Sequence, residues 1–195
     1  MVNIAQPNTL KPGYFDEVYA ANADPWGFES SPYEQAKYAD TLRSLPRPFY
    51  QNAFEIGCSL GVLTSHLAGR CGALLAVDGS EKPLARAREL CRELPSVRIA
   101  QMQVPDDFPD EIFDLILVSE VGYYLAPDEF ARMQAETLAH LAPGGHLALV
   151  HWTPPVHDYP LTGDEVHEAF LALSGLRHEH GHREETYRLD ILERV

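Results

Sequence analysis

The strongest constraint in this chain is an order. Short apolar runs rich in strand-forming residues alternate with longer stretches of helical periodicity. Residues 52–56 (N-A-F-E-I), 74–78 (L-L-A-V-D), 97–102 (V-R-I-A-Q-M), 113–119 (F-D-L-I-L-V-S) and 146–152 (H-L-A-L-V-H-W) predict five strands. Between them, residues 62–69 predict a helix ending near Gly69. Residues 80–94 open on Ser-x-x-Pro and carry Leu84, Ala87, Leu90, Cys91 and Leu94 at helical spacing. Residues 127–141 are amphipathic and run into A-P-G-G, which reads as a helix stop plus a turn. The run at 113–119 is almost wholly apolar, as a strand covered on both faces must be. Repeated strand–helix–strand order implies an α/β fold, a parallel sheet with helices on both faces.

The two ends depart from this rhythm. Residues 12–50 hold three prolines before Pro46, many aromatics and a helical pattern near 33–45, and read as a cap over one edge of the sheet. Residues 176–195, through R-H-E-H and Y-R-L-D-I-L-E-R, fit an antiparallel hairpin. A chain of 195 residues is the size of one domain. Its expected parts are a cap (1–50), a central sheet (51–152), and a loop with the hairpin (153–195).

Fifteen basic against twenty-nine acidic residues leave a formal charge of −14. A nucleic-acid backbone repels such a surface, so small cationic or neutral partners are expected instead. No apolar run reaches eighteen residues and the first residues lack the pattern of a leader, which predicts a cytoplasmic protein away from membranes. The cysteines, Cys58, Cys71 and Cys91, are odd in number and form no C-x-x-C, against a disulfide framework or a zinc ribbon.

The stretch F-E-I-G-C-S-L-G (54–61) carries the chemistry. A strand runs into a glycine turn at the place where open parallel sheets bind ligands. The dinucleotide spacing G-x-G-x-x-G is missing; the pattern is Glu55, Gly57, Gly61. A carboxylate at Glu55 is a poor neighbour for a pyrophosphate and a good one for an ammonium. Asp78 ends the next strand, where a carboxylate accepts hydrogen bonds from both hydroxyls of a ribose. A ligand with a ribose and a cationic amino-acid part, and no need for phosphates, fits; S-adenosylmethionine is one.

Together with V-D-G-S, F-D-L-I-L-V-S-E-V and L-A-P-G-G-H-L, this stretch resembles the class I S-adenosylmethionine-dependent methyltransferases across residues 54–150. The resemblance implies a Rossmann-like, mostly parallel seven-stranded sheet with an antiparallel C-terminal hairpin and an N-terminal helical cap. D-P-W-G-F-E-S-S-P-Y-E-Q-A-K-Y (24–38), H-W (151–152), D-Y-P-L-T-G-D-E-V-H (158–167) and the ending R-E-E-T-Y-R-L-D-I-L-E-R resemble the nodulation protein S family over nearly the whole chain. That likeness implies N-methylation of the free amine of a deacetylated chitooligosaccharide, on the way to a Nod factor. Where class I members often have a third glycine, this chain has Ser59.

The resemblance distributes the cofactor roles. Glu55, Gly57, Ser59 and Gly61 surround the methionine part. Asp78 takes the ribose, with Gly79 and Ser80 near the adenine edge. Gln103 and Val104 follow the third strand, the glutamine standing where the family often has an aspartate. Ser119 ends the fourth strand beside the sulfonium. Trp26 and Tyr33 close over the cofactor.

An amine must lose a proton before it can attack a methyl. Glu120, Tyr124, His151 and Asp158 are the candidates on the acceptor side, with His151 leading because an imidazole titrates in the useful range. Three of the site residues also have a structural role open to them: His151 as a buried strand-end residue, Glu120 as a helix cap, Trp26 as core. His178, His180 and His182 alternate along one predicted strand, but lacking a fourth ligand they read as a solvated face and no metal is expected. A different acceptor, O-methylation, a nicotinamide-dependent oxidoreductase and a non-catalytic cofactor-binding module remain the alternatives.

Overall fold

The computed structural model describes residues 8–195. Seven strands form one sheet: β1 (Tyr50–Ile56), β2 (Cys71–Asp78), β3 (Val97–Gln101), β4 (Phe113–Ser119), β5 (Leu141–Trp152), β6 (Leu176–Arg183) and β7 (Tyr187–Arg194). Their order is β3-β2-β1-β4-β5-β7-β6. The first five pair in parallel, and β7 runs antiparallel to both β5 and β6. This is the mostly parallel seven-stranded sheet with the terminal hairpin that the sequence implied.

Both faces are covered. On one, Phe54, Ile116, Val118, Leu147 and Leu192 pack against α5 (Pro127–His140) and α6 (Gly163–Leu171) through Phe130, Met133, Val166 and Phe170. On the other, Leu74, Leu115, Leu117, Leu189 and Ile191 meet α2 (Pro32–Ser44) and α3 (Val62–Leu67) through Tyr38, Leu63 and Leu67. Such fully buried side chains contribute roughly 2 kcal/mol each before entropy is charged. The near-continuous apolar character of β4 follows from this double burial. α4 (Glu81–Cys91) packs over β3 and β2, its Ser80 N-cap accepting from the Lys82 N–H.

Five features differ from the sequence reading. The cap does not lie on an edge, since the edges are β3 and β6. Instead α2 covers a face, and α1 (Pro12–Ala21) with the loop after it crosses the carboxyl ends of the strands. α1 carries aromatics rather than an apolar stripe, so periodicity missed it. α6 was missed too, although its T-G-D-E start forms a capping box in which Thr162 and Glu165 satisfy each other's backbone N–H. A-P-G-G is no free turn: it opens β5, pairing Leu141 with Phe113 across a register shift. The three histidines of β6 do not all share a face, because a bulge between His178 and His180 turns His178 to Asp190 while His182 reaches Asp40. No described helix is long and apolar enough to cross a membrane.

Candidate active site

Strand order reverses at β1, which has β2 on one side and β4 on the other. Loops leaving neighbouring carboxyl ends there diverge and leave a crevice. A cavity of about 480 Å³ opens at that point, roofed by α1 and α2. The turn after β1 forms its floor. Gly57 has φ +88°, and a Cβ there would stand 2.2 Å from Val121 Cγ2 and 3.0 Å from the Ser119 carbonyl oxygen, so no other residue fits without rearrangement. Ser59 also adopts a positive φ, of 49°. Its N–H donates to Asp78 Oδ2 at 3.1 Å, and the Ser80 N–H donates to Oδ1 at 2.9 Å. Asp78 is thus aimed by two backbone donors, while burial pushes its carboxyl up to about 6.

At the other end stands Glu120, at φ +58°, an uncommon conformation for a glutamate. Its Oε1 accepts from Lys37 Nζ at 2.7 Å; its Oε2 accepts from the Trp152 N–H at 2.8 Å and from the Tyr123 hydroxyl. Lys37 is buried and also pairs with Glu34 at 3.1 Å. Burial works against the lysine's charge, yet the two carboxylates outweigh it and its pKa is raised. Aromatic rings wall this end: Tyr124 stands edge-on to Phe15 and Tyr159, and Tyr33 stands edge-on to Trp152. Three carboxylates, Glu34, Asp78 and Glu120, face one ammonium around the cavity, so its field is negative and suits a cationic ligand. Beside the glycine turn, a void of about 30 Å³ is bordered by Glu34, Glu55 and Ser119. Glu55 is buried, its Oε2 has no hydrogen-bond partner, and burial pushes its carboxyl up to about 7.

With this geometry in view, comparison with known proteins is decisive. The family profile described as nodulation protein S (NodS) matches residues 16–148. The chain belongs to the nodulation protein S family. Nodulation protein S of Rhizobium tropici is 36% identical over 126 residues, 64% of this chain and 53% of that protein. Its counterpart in Sinorhizobium fredii is 34% identical over 129 residues, 65% of this chain and 60% of that protein. The chain thus spans little more than half the length of these curated relatives. Among solved structures, N-methyltransferase NodS from Bradyrhizobium japonicum WM9, in complex with S-adenosyl-L-homocysteine, superimposes with a TM-score of 0.83 at 25% identity, over 95% of this chain and 99% of that one.

In this NodS-family chain, nine of the residues assigned to the cofactor line the cavity: Trp26, Tyr33, Gly57, Ser59, Asp78, Gly79, Gln103, Val104 and Ser119. The other three do not. Glu55 borders the small void. Gly61, at φ +78°, starts α3 and allows close packing on Ala87. Ser80 caps α4 and donates its hydroxyl to Asp16 at 2.6 Å, so it is spent on structure and not on an adenine edge.

On the acceptor side Glu120 and Tyr124 line the cavity and the other two candidates do not. His151 is fully buried behind the floor, between α6 and the 3-10 turn Gly122–Tyr124. Its Nε2 accepts from the Gly122 N–H at 3.2 Å and its Nδ1 meets His167 Nε2 at 3.1 Å. With both nitrogens engaged, and its pKa held well below the usual range by burial first and by His167 next, it has no lone pair to offer a substrate. Asp158 is exposed on the loop after β5, while its neighbours Val156 and Tyr159 reach the cavity. Sequence reasoning missed Glu34, Lys37, Tyr123, Tyr159 and Trp152 as lining groups. A signal existed for two of them: Glu34, Lys37, Tyr38 and Thr41 are the buried stripe of α2 at i, i+3, i+4, i+7, and two charges on an inner stripe need a purpose.

Proposed function

We propose that this chain is an S-adenosylmethionine-dependent N-methyltransferase whose acceptor is the free amine of the terminal glucosamine of a deacetylated chitooligosaccharide, a Nod factor precursor. Membership of the nodulation protein S family supports the reading. The observation that carries it is the presence in one cavity of Asp78 and Glu120, on either side of the Gly57 turn. The residues present fit the cofactor: Gly57 lines the cavity with bare backbone, Asp78 is an aimed acceptor beside it, and Glu55 presents an unpaired oxygen beside an ammonium-sized void.

Bound there, the cofactor supplies a methyl group on a sulfonium, an already activated donor. The chain has to position and to exclude water. Asp78 accepts from the ribose hydroxyls. Gly79, Gln103 and Val104 border the adenine, the Gln103 amide oxygen replacing the usual carboxylate as acceptor. Gly57, Ser59 and Ser119 surround the methionine part, and Trp26 and Tyr33 close the mouth. Tyr124, Tyr159 and Trp152 offer aromatic faces to a sugar ring and to a partly cationic amine. Glu120, not His151, accepts an N–H of that amine and takes its proton, leaving the nitrogen lone pair free to attack. Asp158, at the rim, is left for sugar hydroxyls.

The test has two arms. Titration calorimetry with S-adenosylhomocysteine reads the cofactor site, and absence of binding overturns it. Mass spectrometry of deacetylated chitooligosaccharides incubated with labelled S-adenosylmethionine reads the acceptor, with a single methyl on the terminal nitrogen expected. Methyl on oxygen overturns the amine reading. Cofactor binding with no turnover on any amine makes the chain a binding module.

A further inference from the structure

Behind the cavity floor a line of buried polar groups serves no role yet assigned. Gly122 N–H donates to His151 Nε2, His151 Nδ1 meets His167 Nε2 at 3.1 Å, and His167 Nδ1 meets Asp190 Oδ2 at 2.6 Å. The three side chains are almost wholly buried. Arg188 Nε donates to Asp190 Oδ2 at 2.7 Å, and His178 Nε2 reaches Oδ1 at 2.8 Å from the surface.

The direction of every bond follows from its ends. A peptide N–H only donates, so His151 Nε2 carries the lone pair and Nδ1 the proton. That proton points at His167 Nε2, which accepts, so His167 also holds its proton on Nδ1 and donates it to Asp190. Burial lowers the pKa of both imidazoles, in His167 despite the opposing pull of Asp190, which keeps both neutral and each in one tautomer. The near end of the line matters to the cavity. Gly122 begins the turn that carries Tyr123, whose hydroxyl holds Glu120, and Tyr124, whose ring lines the acceptor end. Gly122 has no room for a side chain, since a Cβ would stand 2.7 Å from Val166 and 3.3 Å from His151 Nε2. Glu120, in a left-handed conformation, does not hold itself.

We propose that Asp190, on β7 and outside the cavity, is a positioning residue. Through His167 and His151 it fixes the one tautomer able to accept the Gly122 N–H, and so it seats Tyr123 against Glu120. Removing its carboxylate frees His167 to put its proton on Nε2. That drives the His151 proton to Nε2, where it opposes the Gly122 N–H and loosens the turn. The kinetic consequence rests on the proposed methyltransferase reading; the tautomers do not.

The wild-type chain gives the first test, by nitrogen-15 NMR of its imidazoles. Nε2 of both His151 and His167 should show the unprotonated, pyridine-type shift, and Nδ1 the protonated one. A protonated Nε2 on His151 overturns the proposal without any variant. Asp190→Asn keeps an oxygen toward His167 and Arg188 and can turn its amide to His178; Asp190→Ala keeps nothing. With a deacetylated chitooligosaccharide and S-adenosylmethionine, Asp190→Ala should lose about tenfold or more in kcat. S-adenosylhomocysteine affinity should stay within about twofold, and Asp190→Asn should restore most of the rate. Equal losses in both variants, or a parallel loss of S-adenosylhomocysteine binding, overturn it. If the wild type transfers no methyl, the functional reading falls and the NMR assignment alone decides the relay.

Discussion

Lys37→Met probes the acceptor end most directly. Lys37 Nζ lies 2.7 Å from Glu120 Oε1 and 3.1 Å from Glu34, with only 4% of its side chain exposed. Methionine keeps most of the volume and removes the charge, leaving two carboxylates close together with no cation. Breaking a buried ion pair from one side costs about 3–5 kcal/mol when the remaining charge cannot escape. Here one charge can escape. Burial already raises the Glu34 pKa, and Lys37 opposes that rise; without the lysine it climbs further. A carboxyl raised above its unfolded value contributes stability that is present below the unfolded pKa and lost as pH rises through the folded one. The variant should therefore be weakest at high pH. Urea unfolding should give a destabilisation of about 3 kcal/mol or more at pH 8 and a smaller one at pH 5, because the raised Glu34 carboxyl takes up its proton more readily toward acid. The double variant Glu34→Leu with Lys37→Met should recover most of the loss, because an apolar replacement leaves one fewer buried charge. A cost below about 1 kcal/mol, equal at both pH values, would refute the view that this triad is electrostatically coupled and dry.

Three further outcomes follow from the proposed cofactor site. Gly57→Ala forces a Cβ into Val121 at a φ of +88°; it should lower the melting temperature and weaken S-adenosylhomocysteine binding more than tenfold, by calorimetry. Ribose hydroxyls favour the ionised Asp78, whose free carboxyl sits at about 6, so the dissociation constant of S-adenosylhomocysteine should be flat above pH 7 and rise toward tenfold per unit below pH 6. Asp78→Asn should bind weakly and remove that dependence. Glu55, pushed up to about 7 by burial, gives stability below about pH 4.5 that is lost as pH rises through 7; isosteric Glu55→Gln should flatten this slope and exceed the parent in stability at pH 8, by denaturant melts.

The sheet was legible because its rules are local. Apolar runs at 52–56, 74–78 and 113–119 need only alternation and burial to become β1, β2 and β4, and alternation at 176–195 gave the hairpin. The glycine turn and the strand-end carboxylate were legible for the same reason. A glycine at φ +88° and an aspartate at a strand end announce themselves by residue type. His151 was misplaced because a strand end offers two faces, and a one-residue difference in register decides between crevice and core. Ser80 was misplaced because an N-cap serine and a ligand-binding serine look alike in sequence; its partner, Asp16, is 64 positions away.

The two ends of the cavity are held in different ways. Asp78 is aimed by N–H groups of Ser59 and Ser80, in loops the sheet cannot form without creating. Any chain that makes the β1 and β2 turns in this manner presents an oriented carboxylate to the crevice. Glu120 is held by Lys37 on α2, Trp152 at the end of β5 and Tyr123 on the following turn, and that turn is anchored through His151 and His167 to β7. Changes in any of five elements, α6 included, therefore reach Glu120 while leaving Asp78 untouched. On this reasoning, substitutions at Lys37, Tyr123 or Asp190 should alter turnover and acceptor choice at nearly constant cofactor affinity. Substitutions in residues 57–61 or 78–79 should act on cofactor affinity first. A panel in which the two effects moved together would show that the ends are not independent, and would return the acceptor end to the same local rules as the glycine turn.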